Sequence, residues 1–582
     1  MTNAALYYHP DGYRTDGKKL MGRQAAGESF LKGFLHYAEV DELVAVCTRN
    51  AHAEDFKAFR REVLGDADTR PAKAISKNNL KDLEAVGTVF CPGPGLEDYV
   101  WRRRRAKSNS FSVTGITHTT ASELAMSAIA GLLTAPVEPW DALICTSNAV
   151  RNSVDRLHEI YGSYLAERYG VKHVPCRAQL PVIPLGIFAD DFDLPDDQRL
   201  GHRTRLRQKM GIAEQDIVVL FVGRLSFHAK ANPAPMLIAL EQTVKSLAPG
   251  VRLHLIQSGW FANDAIERAF REANKTFAPS VVHHLVNGRD PDYRANAWHA
   301  SDIFCSLSDN IQETFGLTPV EAMAAQLPLV VTDWNGYRDT IPHGEAGFRI
   351  ATVLPDREAG LAFADRYEDG TISYDRYCAE SSMATAVDIR QTTEAFTTLA
   401  NDPDKRKAMG QAGRKRVRDH YDWRVVVRQY QELWTELAAR RAKSEAPDSK
   451  PTKPDPEHME LWGHPTRPNP FHMFAGYPTH QLSPKTRLHT GHMDTNVLRN
   501  ASKSIILSVD NSPYVGPSQL GQNIFNQVRH AGDAGVTLEE IYAANADKDR
   551  AMATTTTGWL LKIGALRVEE AALTVPEGST GP

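Results

Sequence analysis

Two glutamates, Glu313 and Glu321, stand with seven residues between them in the stretch ETFGLTPVE, around a Phe315-Gly316-Leu317 turn and a Thr318-Pro319 step. Read locally, Thr318 is an N-cap, Pro319 takes the first helical position and Glu321 reaches back from the third, a capping box that opens a helix. The same geometry aims the backbone amides of Phe315 to Thr318 at whatever precedes the helix, which favours an anion such as a pyrophosphate. Glu313 caps nothing obvious and follows the strand-like DIFCSLS at its carboxyl end, where ligands sit in open α/β sheets. A carboxylate there, beside amides that hold phosphate, is placed to accept hydrogen bonds from sugar hydroxyls.

Such a site needs a sheet to hold it. The short apolar runs ELVAVC, TVFCPG, ALICTS, IVVLFVGRL, RLHLIQSG, DIFCSLS and LPLVVTDW alternate with longer helix-like segments, the pattern of parallel sheets covered by helices on both faces. Prolines and acidic residues in LPVIPLGIFADDFDLPDD separate two such series. The expected class is therefore α/β, with two Rossmann-like, doubly wound domains over residues 1–195 and 196–420. Residues 421–443, with apolar positions at helical spacing, predict a terminal helix. Residues 444–519 read as a Pro-rich linker and an irregular segment, 520–572 as a small winged-helix-like module, and 573–582 as a disordered tail. In the module, Thr537 and Glu540 form a capping-box pattern, and Trp559, Leu560, Ile563 and Leu566 are its expected core.

Composition narrows the function. The 582 residues carry 67 basic and 71 acidic side chains, so no global field draws the chain to nucleic acid or membrane. The C-terminal module holds five basic residues (Arg529, Lys548, Arg550, Lys562, Arg567) against seven acidic ones, a poor phosphate binder, and no nucleic-acid partner is expected. Its alternative role is a protein contact. The six cysteines show no metal-ligand spacing and read as free buried thiols. The N-terminal stretch lacks a signal-peptide pattern and no run is long enough to span a membrane, so a cytoplasmic location is expected. The basic runs WRRRRAK and KRKAMGQAGRKRVR are candidates for contact with the inner face of a membrane, although solvated helix faces are the commoner fate of such runs. Paired aspartates at Asp191/Asp193 and Asp290/Asp292 have the spacing of metal-dependent transferases, but their turn-rich flanks read as turns and caps.

The stretch SDNIQETFGLTPVEAMAAQLPLVVTDWNGYRDTI resembles the donor-binding signature of the retaining glycosyltransferases of family four (glycosyl transferases group 1), which have the GT-B fold. The resemblance covers about residues 1–440. It implies an N-terminal acceptor domain and a C-terminal nucleotide-sugar domain facing a cleft. It assigns Glu313 to hydroxyls of the donor sugar, Glu321 to the nucleotide ribose, and the Phe315-Gly316-Leu317 amides, with Thr318, to the donor. In FVGRLSFHAKANP, Arg224 matches the family's post-strand arginine, and Lys230 falls six residues on where the family places a lysine about five on. Both cations would stabilise the departing diphosphate without a metal or cofactor. His118, in the loop after FSVTGIT, matches a histidine near the reacting carbon, and Gly22 matches a glycine whose amide approaches the donor phosphate. The reaction implied is metal-independent, retaining transfer from a nucleotide-diphosphate sugar to a carbohydrate or lipid-linked hydroxyl, in polysaccharide or glycoconjugate assembly. The rivals are a nucleotide-sugar hydrolase or epimerase of the same fold, and a non-catalytic scaffold that recruits a partner through the C-terminal module.

Overall fold

The computed structural model describes residues 3–14, 22–444, 464–492, 505–507, 512, 514–516 and 518–569. The chain divides into two compact bodies, residues 1–453 and 454–582.

The first body holds two six-stranded sheets, with parallel pairing throughout each. Strands β1 (Ala5–Tyr7), β2 (Leu43–Cys47), β3 (Ala72–Ser76), β4 (Thr88–Cys91), β5 (Ser112–Thr117) and β6 (Ala142–Cys145) are ordered 3-2-1-4-5-6. Strands β7 (Ile217–Val222), β8 (Leu253–Gly259), β9 (Val282–Asn287), β10 (Ile303–Ser306), β11 (Leu329–Thr332) and β12 (Gly347–Ile350) repeat that order, with β7 in the place of β1. Strands such as LVAVC, ALIC and IFCS are buried at every residue because helices cover both faces, which is why they read as unbroken apolar runs. The expected pair of doubly wound domains is thus what the chain forms.

The chain returns from the second sheet to the first. Ile187 and the Tyr421–Trp423 segment exchange backbone hydrogen bonds, Ile187 N to Tyr421 O at 2.8 Å and Trp423 N to Ile187 O at 3.0 Å. The terminal helix Trp423–Lys443 then packs into the first domain: the indole of Trp423 donates to Ser29 Oγ (2.8 Å) and that of Trp434 to Thr114 Oγ1 (3.3 Å). Gly33 and Gly186 line the Trp423 ring so closely that a Cβ on either would lie 2.6 or 2.5 Å from it.

A short antiparallel ladder, β13 (Thr352–Val353) with β14 (Ala386–Val387), closes the base of an excursion from the second domain. Residues 354–385 leave and return at that ladder, carrying the helices Leu361–Glu368 and Tyr374–Met383.

Of the paired aspartates, Asp290 caps a helix and Asp191 ends a 3-10 turn, whereas Asp193 is a buried ion-pair acceptor. Asp290 accepts from Asp292 N at the start of the helix Pro291–Ala300, and Asp193 is bound by Arg414 and Arg418. The same two arginines come from the basic run considered for membrane contact, and Arg103 of the other run is buried in a bidentate pair with Asp141 (2.6 and 2.6 Å). All six cysteines are free, five of them buried. Among the described residues no helix is long and apolar enough to cross a membrane.

In the second body the helices Gln519–Ala531, Leu538–Ala544 and Arg550–Lys562 enclose Trp559, Leu560 and Leu566, and the Thr537/Glu540 capping box is formed. Strand β15 (Arg487–Thr490) lies between β16 (Val536–Thr537) and β17 (Leu566–Val568), antiparallel to both. That central strand comes from the stretch expected to be irregular. Four residues make a weak period-2 signal, and its partners lie far downstream. Residues 445–463 of the expected linker and the expected tail 573–582 lie outside the described residues.

Candidate functional site

The site gathers at the carboxyl edge of the second sheet, where the loops after β7 and β10 meet. Arg224 follows β7 and Lys230 lies further along the same loop; Glu313 lies in the loop after β10. The loops are knitted together: Asn310 Nδ2 donates to His228 O (2.9 Å), Ser308 Oγ to Lys230 O (3.3 Å), and Asn232 N approaches both carboxylate oxygens of Asp309 at 3.4 Å. Arg224 is steadied by donation to Ala229 O at 3.3 Å.

At the centre, Lys230 Nζ donates to Glu313 Oε2 at 2.5 Å. Burial opposes charge on both groups, but each offsets it for the other. Lys230 is held above the usual lysine value by the Glu313 carboxylate, and Glu313 below the usual carboxylate range by Lys230 and by the Phe315 and Thr314 amides. The extra residue in the Lys230 spacing therefore does not turn the side chain away. An ammonium has three donors, and Glu313 occupies one here.

The turn after Glu313 departs from the sequence reading. The helix is Leu317–Ala324 with Gly316 at its N-cap, so Thr318 is the second helical residue and Glu321 the fifth, and no side chain caps it. The expected capping box is absent because Gly316 reverses the chain two residues early. Its φ of +91° suits glycine, and a Cβ there would lie 2.1 Å from the Tyr337 ring. Pro319 is still tolerated, since its missing N–H is one of the first-turn orphans. The amides that begin the helix are therefore those just after Gly316. Phe315 turns its ring inward against Tyr421, so only its backbone faces the turn. The Thr318 hydroxyl is buried without a hydrogen-bond partner in the structure.

The first domain reaches this edge from across the cleft. Thr314 Oγ1 donates to the carbonyl of His118 (3.1 Å), and Ser147 Oγ, the N-cap of the helix Asn148–Tyr169, donates to Thr314 O (2.8 Å). Asn148 N donates to Asp339 Oδ2 at 2.6 Å. His118 is thereby brought beside the residue that follows Glu313. Gly22 opens the helix Gly22–Tyr37, and the preceding residues 15–21 lie outside the described residues. Glu321 is half-buried on the helix.

Sequence reasoning passed over three residues. Tyr337 lies under Gly316 and bonds Ser306 Oγ (2.9 Å); Thr314 joins the domains; Asp309 is buried beside the site and accepts from Ser382 Oγ (2.7 Å). Burial pushes the Asp309 carboxyl up to about 6 despite those donors. Asp309 lay within the signature stretch, and an acid between two buried-strand residues and a turn was the available signal. Among the described residues no cluster of His, Cys, Asp and Glu has the arrangement of a metal site.

Residues 202–361 match the family described as Glycosyl transferases group 1. The phosphatidyl-myo-inositol mannosyltransferase of Mycobacterium tuberculosis is 28% identical over 257 residues, 44% of this chain and 56% of that protein. The D-inositol 3-phosphate glycosyltransferase of Geodermatophilus obscurus is 29% identical over 248 residues, 39% of this chain and 49% of that protein. The chain thus spans about half the length of the curated relatives it matches. Among solved structures, Anabaena Alr3699/HepE in complex with UDP has a TM-score of 0.46 and 14% identity, covering 75% of this chain and 100% of that one. Residues 202–361, in the second doubly wound domain, are thus the part of this chain that is similar to the glycosyl transferases group 1 family.

Proposed function

We propose that this protein is a retaining glycosyltransferase that moves a sugar from a nucleoside-diphosphate sugar to a hydroxyl acceptor without a metal. The observation that carries the reading is the part-buried Lys230–Glu313 pair beside the first amides of the helix Leu317–Ala324. Two demands meet there. The sugar needs a carboxylate to fix its hydroxyls, which Glu313 supplies, and the diphosphate needs positive charge as it departs, which Lys230, Arg224 and the helix amides supply. In the reaction the bond from the anomeric carbon to the diphosphate oxygen breaks, a bond from that carbon to the acceptor oxygen forms on the same face, and the acceptor proton passes to the leaving phosphate. No strong protein base is then required. His118 lies across from the sugar on the first domain, and Glu321 takes the ribose. The mannosyltransferase and glycosyltransferase relatives support a sugar-transfer role.

The test is a panel of nucleotide sugars with EDTA, following nucleoside-diphosphate release and nucleotide binding for wild type and Glu313→Ala. Acceptor-dependent release that survives EDTA and disappears in the variant supports the reading. Release that needs no acceptor favours a hydrolase, and binding without turnover favours a scaffold.

A further inference from the structure

The excursion 354–385 is built in the second domain but touches three loops that border the cleft. Ser382 donates to Asp309 in the loop after β10, and Asn232, in the loop after β7, donates Nδ2 to Met383 Sδ at 3.2 Å. On the first domain, the Tyr367 hydroxyl accepts from Glu123 N at 3.1 Å, five residues past His118, and the Tyr374 hydroxyl lies near Thr119. Tyr367 stacks on Tyr377 with ring centroids 4.6 Å apart and planes at 10°, which stiffens the lip that meets the other domain. An element fixed to the loop that carries Lys230, to the loop that carries Glu313 and to the loop that carries His118 borders the opening through which a second substrate reaches the sugar.

Its charge is one-sided. Residues 354–385 contain seven carboxylates and three arginines, a net of minus four. Arg366 and Arg376 both bind Glu380 (2.8 and 2.7 Å), leaving Arg357 against Asp356, Glu358, Asp365, Glu368, Asp369 and Asp375, all exposed. The facing segment 117–135 holds Glu123 and His118 and no lysine or arginine. A phosphorylated acceptor that passes these side chains meets like charge, whose field reaches about one Debye length, roughly 8–10 Å, whereas an uncharged polyol does not.

We propose that the excursion forms the acceptor-side wall of the cleft and selects an uncharged hydroxyl acceptor, a neutral sugar or polyol, over a phosphorylated one. This rests on the transferase reading above. The experiment takes the donor that binds in the nucleotide-sugar panel. It measures transfer to neutral saccharides, alkyl glucosides and polyols, each paired with its phosphorylated counterpart, at low salt and in about 0.5 M sodium chloride. The wild type is compared with a Glu358→Gln, Asp365→Asn, Glu368→Gln variant, whose changes touch none of the proposed machinery. The expected result is a kcat/KM at least about tenfold higher on neutral members at low salt, narrowing several-fold in high salt and in the variant, with neutral transfer unchanged. Equal or better transfer to phosphorylated members, a gap that the variant leaves intact, or transfer to neither overturns it. Calorimetric binding of the nucleotide separates these outcomes from failure of the donor reading, in which nothing binds.

Discussion

The two sheets of the first body have the same strand order and comparable burial, yet their carboxyl edges are put to different use. At the second sheet, the loops after β7 and β10 bind each other through Lys230–Glu313, His228–Asn310 and Asn232–Asp309. At the first sheet, the loops after β5 and β6 reach outward, giving the His118 carbonyl and the Ser147 hydroxyl to Thr314 of the other domain. Identical topology thus yields one edge that is closed on itself and one that serves it. The site is a property of the loops, and the sheets only set where those loops begin.

The sharpest way to break this contrast is to remove one member of the closed edge. Glu313→Ala is expected to lower turnover by about 10²–10³-fold and to destabilise the fold by about 1–3 kcal/mol, since it leaves a part-buried ammonium without its partner. Diphosphate release and urea denaturation read the two effects. The acid limb carries the same information: Glu313 sits below its ordinary 4.5, so its stabilisation is present above that pH and is lost as the pH falls through its folded value. Glu313→Gln should flatten that limb. On the alkaline side Lys230, raised above 10.5, keeps its contribution up to that pH and loses it beyond.

Asp309 tests the closed edge with the opposite sign. Its folded value of about 6 lies above its ordinary 3.8, so the folded state holds a proton that the unfolded state has lost, and stability falls as the pH rises between those values. Asp309→Asn should remove that slope and gain about 2–3 kcal/mol near pH 8, measured by denaturation at about pH 5 and pH 8. A smaller loss is expected for Gly316→Ala, about 1–3 kcal/mol from the φ of +91° and the Tyr337 contact, together with weaker nucleotide binding by calorimetry. The mildest change tests the serving edge: Ser147→Ala removes a helix N-cap and the bond to Thr314, about 1 kcal/mol in a thermal melt, with nucleotide binding retained.

Much of this arrangement was legible in the sequence. Strands buried on both faces announce themselves as apolar runs, and Glu313 was visible because its strand, turn and helix are contiguous. What was not legible was separated along the chain or decided by one backbone angle. Lys230 and Glu313 are 83 residues apart, and nothing in either local sequence says that they touch. The Thr-Pro-Val-Glu pattern favours a capping box locally, but the tight approach of Gly316 to Tyr337 fixes the helix start earlier. Strand β15 was missed because its pairing partners, Val536–Thr537 and Leu566–Val568, lie well downstream.

The return of the helix Trp423–Lys443 to the first domain also sets an order of events during synthesis. Phe30 packs against Trp423 and Tyr430, and Phe34 and Phe90 pack against Trp434, so the core of the earliest domain lacks its largest side chains until the ribosome has passed residue 434. At about 5–20 residues per second, the first sheet waits about 15 to 60 seconds after its own strands are made. During that interval the second domain, whose strands and Lys230–Glu313 pair are complete in sequence by residue 350, is free to fold first. The N-terminal half of the protein is therefore finished last, by a helix encoded after everything else in that body.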